Sequence, residues 1–377
     1  MHICFLTSEY PPLPHGGIGT SIQNLAQELV KQGNRVTVLG WGQKLEFEDH
    51  GVEIRFLQST GFPKMGWFLN RRRASSEIKR MVREEELDIV ESPDWSGLSA
   101  GMQLDCPLVI RCHGSDSYFG SLLGYQPRLA VRLAESIALH HNDAITAVSR
   151  FAAQRTSEIF HLTENITTIP NGIDINRFSP VEEPDHSNVI LYLGTLVRKK
   201  GVFDLCEIFN IIVKENKVAR LWLIGRDVED KLTKFPSTWE IAKQMLTPEA
   251  LNRTNYFGTI PYNNVQDYLK QASICVFPSY AETFGLSWIE AMACAKPVVA
   301  SNIGWANEII EDGVSGILIH PSDHLGYVEA IQDLLSNPDK RRQMGLNARR
   351  RVEQLFSIQR TAELSLEWYQ DVINAHS

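Results

Sequence analysis

Residues 274–300, ICVFPSYAETFGLSWIEAMACAKPVVA, hold the pattern that decides the fold. Ile274 to Phe277 is a short unbroken apolar run, as expected of a strand covered on both faces. Pro278-Ser279-Tyr280 ends it, and a loop through Glu282 leads to Leu286, Ile289, Met292 and Ala293, whose spacing predicts a helix with those residues facing a core. Pro297 to Ala300 reads as the next strand. Strand, loop, helix and strand in quick succession form the repeating unit of a parallel α/β sheet.

The same rhythm runs outward in both directions. Val189 to Leu193 predicts a strand, followed by a Gly- and Lys-containing loop and a helix through Leu205, Ile208, Phe209 and Ile212. Further strands are predicted at Leu221–Ile224 and Gly316–Ile319. Upstream, the segment from Asn171 to Ser187, with Asn171-Gly172, Pro180, Pro184, Glu182, Glu183 and Asp185, has the composition of a linker. Ahead of it lies a second series. An apolar run over residues 2–7, a Pro/Gly-rich loop from Tyr10 to Gly19, a helical pattern from Ile22 to Val30 and a run from Arg35 to Leu39 predict a βαβ unit. Ile89-Val90, Leu108–Ile110, Ala144–Val148 and Ile166–Ile169 continue it as strands. The closing segment, from about Arg341 to Ala375, reads as charged helix with Leu364, Leu366, Trp368 and Tyr369 available for packing.

Length and composition agree with two folded domains. The chain has 377 residues, 43% hydrophobic and 22% charged, which is ordinary for globular proteins and excludes disordered or collagen-like classes. A formal net charge of -8 excludes general attraction to nucleic acid or to an anionic membrane, although a local basic patch remains open. Cys4, Cys106, Cys112, Cys206, Cys275 and Cys294 stand apart in apolar surroundings, so buried free thiols are expected and a zinc cluster is not. No apolar stretch is long enough to span a bilayer, and Met1 runs directly into an apparent strand, so a cytoplasmic location is expected.

Three segments carry chemistry. The loop Pro11 to Thr20 contains Gly16-Gly17-Ile18-Gly19 ahead of a helix, where backbone N–H groups can approach an anion. It lacks the GxGxxG order, and the second strand ends without an acidic residue for a ribose, which argues against a nicotinamide enzyme. Gly194-Thr195-Leu196-Val197-Arg198-Lys199-Lys200-Gly201 places three cations after a strand, an arrangement suited to a diphosphate but equally to a solvated turn. It is not a Walker A loop. Glu282 precedes the 286–293 helix and Glu290 lies within it, among core-type neighbours. A carboxylate there must reach the edge of a cleft or find a partner, because burial without one is costly. A carboxylate also matches the paired hydroxyls of a ribose.

Glu282 and Glu290, separated by seven residues and followed by AMACAKPVVAS, resemble the signature of the retaining GT-B glycosyltransferase family 4. The resemblance spans most of the chain. It includes Gly16-Gly17-Ile18-Gly19, His113-Gly114-Ser115-Asp116, Ile169 to Asp174 with Phe178, Lys200-Gly201, Leu223-Ile224-Gly225, Phe257 to Pro261, and Glu308 to Gly316. It implies two doubly wound Rossmann-like α/β domains: residues 1–180 on the acceptor side, residues 188–355 binding the nucleotide sugar, and a final helix, 356–377, packing back on the first domain. A cleft between the sheets is expected to hold the ligand. The implied reaction moves a sugar from a nucleotide diphosphate sugar to a hydroxyl with retention, without metal or cofactor, the leaving phosphate serving as base.

The same resemblance implies roles for individual residues. Lys200 would neutralise the diphosphate and Glu290 would hold the ribose. Backbone at Thr283, Phe284, Gly285 and Leu286 would contact phosphate and sugar, with Glu282 beside the transferred sugar. Gly16 and Gly17 would approach the diphosphate, His113 would face the donor sugar, and backbone near Ile260 would contact the base. Many relatives carry an arginine where this chain has Thr195, so Arg198 is expected to supply the second cation. Trp305, where relatives often have glycine, is expected to reshape the sugar pocket. Basic residues Arg71-Arg72-Arg73, Lys79, Arg80 and Arg83 resemble the patches with which relatives using lipid-linked acceptors meet the inner leaflet. Glycan or lipid-linked acceptors fit this reading and nucleic acid does not. A nucleotide-sugar epimerase and a catalytically silent nucleotide-sugar-binding protein are the competing readings.

Overall fold

The computed structural model describes residues 1–62, 65–180 and 188–376, and the chain divides into two compact units, Met1–Gly172 with Ile358–Ser377, and Ile173–Ser357. Residues 173–180 therefore go with the second unit rather than the first. Pro184, Glu182, Glu183 and Asp185 of the linker reading lie outside the described residues.

The first unit is built on an eight-stranded sheet. Its strands are β1 (His2–Leu6), β2 (Arg35–Gly42), β3 (Leu45–Asp49), β4 (Val52–Gln58), β5 (Ile89–Pro93), β6 (Leu108–Cys112), β7 (Ala144–Ala147) and β8 (Thr167–Thr168). They lie in the order β3-β4-β2-β1-β5-β6-β7-β8. All pairings are parallel except the outermost, β3 with β4. The central strands β1, β5 and β6 are buried along their whole length, the charged Glu91 of β5 and Arg111 of β6 included. Helix Gly17–Lys31 covers one face through Ile22, Leu25, Ala26 and Leu29, while Ala74, Ile78 and Met81 of helix Gly66–Glu85 cover the other. The chain returns at its end to complete this core. Ile358, Ala362, Tyr369 and Val372 of helix Ile358–His376 are buried in the same cluster as Ile22 and Leu25.

The second unit carries a six-stranded, wholly parallel sheet. Its strands are β9 (Val189–Leu193), β10 (Arg220–Ile224), β11 (Thr254–Tyr256), β12 (Ile274–Phe277), β13 (Val298–Ser301) and β14 (Ile317–Ile319), ordered β11-β10-β9-β12-β13-β14. The order reverses between β9 and β12. In open α/β sheets that reversal leaves a crevice beyond the carboxyl ends of the strands. The loops after β9, β10, β11 and β12, which hold most of the sequence motifs, all emerge there. All six cysteines are free and buried.

Candidate active site

In the second unit, β9 feeds Gly194 and a single 3-10 turn, Arg198–Lys200, that ends at Gly201 with φ +67°. The turn is clamped from the neighbouring strand's loop: the Lys199 carbonyl accepts the Tyr280 N–H at 2.7 Å. A Cβ on Gly201 would sit 1.9 Å from the Pro278 carbonyl oxygen, so only glycine lets the two loops approach this closely. This packing aims Lys200 back across the sheet end. Its ammonium lies 2.8 Å from a Glu282 carboxylate oxygen, and both side chains are mostly covered. A built Cβ on Gly194 comes within 3.4 Å of the Lys200 side chain, so the lysine lies against that glycine.

Glu290 sits in helix Leu286–Ala293 and is 5% exposed. Its partner is Tyr262, whose hydroxyl donates to Glu290 Oε1 at 2.9 Å. Burial pushes the carboxyl up to about 7, against the hydrogen bond from Tyr262 and the charges of Lys200 and Arg177. Arg177 lies over the Tyr262 ring, 5.3 Å from its centre, and Phe178 meets the same ring edge-on. Half-buried Ile260 is two residues from Tyr262, so the loop expected to meet the base is tied to the helix that carries Glu290. Gly285, at φ +78°, begins that helix with no side-chain cap, which leaves first-turn N–H groups suited to an anion. Thr283 and Phe284 are buried immediately before it.

The Arg198 guanidinium, expected to supply the second cation, does not stand unpaired. It donates to both Asp230 oxygens at 2.7 and 2.9 Å and lies over the Phe203 ring. Arg198 and Thr233 together hold the Asp230 carboxyl well below the usual range. Nor does Trp305 line a sugar pocket: it is fully buried and packs against Trp288, with ring centres 6.0 Å apart. Thr195 remains half-buried beside Lys200's turn, its carbonyl accepting from Tyr192.

The first unit presents its own group at the carboxyl edge of its sheet. His113 follows β6 and is buried, and burial with the nearby Arg111 charge pushes its imidazole down to about 3, so it stays neutral. Its backbone is fixed by Asp94, whose two oxygens accept the N–H groups of His113 and Gly114 at 2.8 and 3.1 Å. Buried Glu135 does the same one step on. It accepts from the backbone of Asp116 and Ser117 and from the Ser117 hydroxyl. A small recess beside His113 is lined by Ser21, Ile22, Glu91, Arg111 and Asn171. Arg111 and Glu91 pair through two hydrogen bonds, and Tyr369 from the final helix donates to the same carboxylate.

The glycine loop differs in detail from its reading. Gly17 is the first residue of helix Gly17–Lys31, and the Gly16 N–H already donates to Glu9 Oε2 at 2.7 Å. Asp94, Glu135, Tyr262, Asp230 and Glu9 were not singled out from sequence. Each acts on a loop that a motif had marked.

Residues 174–351 match the family described as glycosyl transferases group 1, and residues 15–177 match Glycosyltransferase Family 4. Among curated proteins, D-inositol 3-phosphate glycosyltransferase of Paenarthrobacter aurescens is 40% identical over 332 residues, covering 79% of this chain and 77% of that relative. Among solved structures, sucrose-phosphate synthase from Thermosynechococcus elongatus shares the fold with a TM-score of 0.83 at 22% identity, covering all of both chains. Anabaena Alr3699/HepE in complex with UDP-glucose aligns with a TM-score of 0.77 at 20% identity over 98% of this chain and 100% of that one. The protein is a GT-B glycosyltransferase. It belongs to glycosyltransferase family 4, within the glycosyl transferases group 1.

Proposed function

We propose that this chain is a retaining, metal-independent glycosyltransferase that moves a sugar from a nucleotide diphosphate sugar to a hydroxyl of a glycan or lipid-linked glycan. The observation that carries this reading is the guarded ion pair of Lys200 and Glu282 at the sheet's carboxyl edge, beside the buried, tyrosine-held Glu290. Breaking the bond between an anomeric carbon and a diphosphate builds negative charge on the leaving group. A fixed ammonium in a partly dry site stabilises that charge more as it grows than before it forms.

In this reading Lys200 exchanges Glu282 for the donor's phosphates, and the uncapped start of helix Leu286–Ala293 adds N–H donors. Glu290, held at one oxygen by Tyr262, keeps its other oxygen for a ribose hydroxyl. Glu282, released from the lysine, lies by the sugar. The departing phosphate takes the acceptor's proton, so no dedicated base is needed. In the first unit, the neutral His113 on its pinned loop and the Gly16–Gly17 segment are the proposed further donor contacts. The UDP-glucose complex of Alr3699/HepE makes uridine the first nucleotide to try.

The test is an assay of UDP-, GDP- and ADP-sugars with hydroxyl acceptors in the presence of EDTA, with the anomeric product assigned by NMR. Transfer with retention is expected, and Lys200→Ala should lower kcat on the order of 10²–10³-fold while the fold persists. Activity that requires an added divalent ion, or an inverted product, would sink the reading.

A further inference from the structure

Asp204 fastens together three of the segments that leave the second sheet at its carboxyl edge. It lies in the first turn of helix Val202–Glu215, directly after the turn that carries Lys200. The Tyr280 hydroxyl, from the loop after β12, donates to Asp204 Oδ1 at 2.8 Å. His324, from the segment after β14, brings its ring Nε2 to 2.9 Å from the same oxygen, close enough to donate to it. His324 opens helix His324–Ser336, whose start is capped by Asp323 at the Gly326 N–H. That helix packs along helix Val202–Glu215, and Gln332 donates to Glu215 at 2.9 Å near the other end of the pair. The histidine is thus a fixed outer anchor.

The Lys200–Glu282 pair depends on the same fastening. The Tyr280 and Ala281 N–H groups both reach the Lys199 carbonyl, at 2.7 and 3.3 Å. A loop held at one carbonyl can still pivot about it. The Tyr280 side chain adds a second point of attachment, and two residues further on the Glu282 carboxylate stands 2.8 Å from the Lys200 ammonium. Burial, with the bond to Asp204, pushes the Tyr280 hydroxyl up to about 12, so it stays protonated and able to donate at neutral pH. Asp204 itself is mostly covered, its side chain 19% exposed, and a carboxylate so placed needs donors. Here they come from two separate loops. None of the donor-sugar contacts proposed above involves it.

We propose that Asp204 is a positioning residue for sugar transfer: by holding Tyr280 and His324 at one oxygen, it sets where Glu282 stands against Lys200. Reacting groups need placing to within about 0.5 Å, and a displacement of about 1 Å can cost on the order of 100-fold in rate. The catalytic part rests on the reading in which Lys200 and Glu282 serve the donor. The placement of Glu282 does not, and it is measurable without substrate. The competing role for Asp204 is that of a charge favouring the start of its helix. Tyr280→Phe separates the two, because it leaves that charge in place.

Labelling of the full chain with an amine-reactive ester, followed at Lys200 by peptide mass spectrometry, reads the placement, with exposed Lys44 and Lys217 as internal references. Tyr280→Phe and Asp204→Ala should each label Lys200 about fivefold faster, the equivalent of one ordinary hydrogen bond. His324→Leu should also speed labelling, whereas His324→Gln, which keeps an N–H donor, should restore the parent's rate. In the transfer assay, Tyr280→Phe should lower kcat about tenfold while the donor's KM rises no more than about twofold. Asp204→Asn keeps an oxygen acceptor and should retain more of kcat than Asp204→Ala. Unchanged Lys200 labelling in both Tyr280→Phe and Asp204→Ala would overturn the proposal whatever the activity. So would equal losses of kcat and melting temperature in Asp204→Asn and Asp204→Ala with Tyr280→Phe fully active, since Asp204 would then serve only its helix. A parent that transfers no sugar while labelling follows the expected pattern would count against the transferase reading and for the placement of Glu282 by Asp204.

Discussion

Glu290 gives the sharpest residue-scale expectation. Its carboxyl is raised in the folded protein, so folding takes up protons there. Stability from this group is full below the ordinary glutamate range and is lost as pH rises towards about 7. Glu290→Gln should flatten that part of the stability profile, making the variant's melting temperature less sensitive to pH between about 4.5 and 7 than the parent's. Ligand binding runs the other way. A ribose hydroxyl donates to the ionised form, so donor affinity should improve through the same window in the parent and not in the variant. Calorimetry at several pH values measures both. Asp94 is a positioning residue of a different kind. Asp94→Asn offers one carbonyl oxygen in place of two, leaving one of the His113 and Gly114 N–H groups without its acceptor. If the His113 loop serves the transferred sugar, kcat should fall about tenfold or more, while the donor's KM, set largely in the second unit, should change little.

At the scale of elements, the loops after β9 and β12 are joined by a glycine that no other residue can replace. Gly201→Ala adds a Cβ against the Pro278 carbonyl at a backbone angle that side chains disfavour, so the melting temperature should drop by several degrees. Activity should fall more than stability, because the displaced turn carries Lys200. Recovery of full activity in a folded Gly201→Ala protein would show that the turn does not set the lysine's place. These elements also mark what the sequence made legible. The strands β9, β12 and β13 were readable because burial on both faces demands unbroken apolar runs. The edge pair β3 and β4 was not read, although Val52, Ile54 and Phe56 alternate as a half-covered strand should. The motif residues of the site were readable because glycines and charges at strand ends are local signals. Their partners were not. Tyr262 meets Glu290 across 28 residues and Asp230 meets Arg198 across 32, contacts that only the folded chain creates. For Arg198 the charge was visible in the sequence and the carboxylate holding it was not.

Across the whole molecule, the first unit is closed by residues that follow the second in sequence. Truncation after Ser357 would remove Ile358, Ala362, Tyr369 and Val372 from its core and leave Arg111 and Glu91 without Ser365 and Tyr369. Each lost large apolar side chain costs about 2–5 kcal/mol, which together rivals the whole stability of an ordinary domain. The truncated protein should therefore lose the first unit's hydrogen-exchange protection while residues 188–355 keep theirs. Protection retained in β1, β5 and β6 would mean that the helix is an accessory.

That split arrangement bears on how the protein is made. A ribosome releases most of the first unit early, then must translate the whole of the second before helix Ile358–His376 exists. For that interval the face awaiting the helix, Ile22 and Leu25 included, has no cover. The nascent chain thus carries an open apolar surface through roughly half of its synthesis, inviting chaperones, and the unit encoded first is the one that matures last.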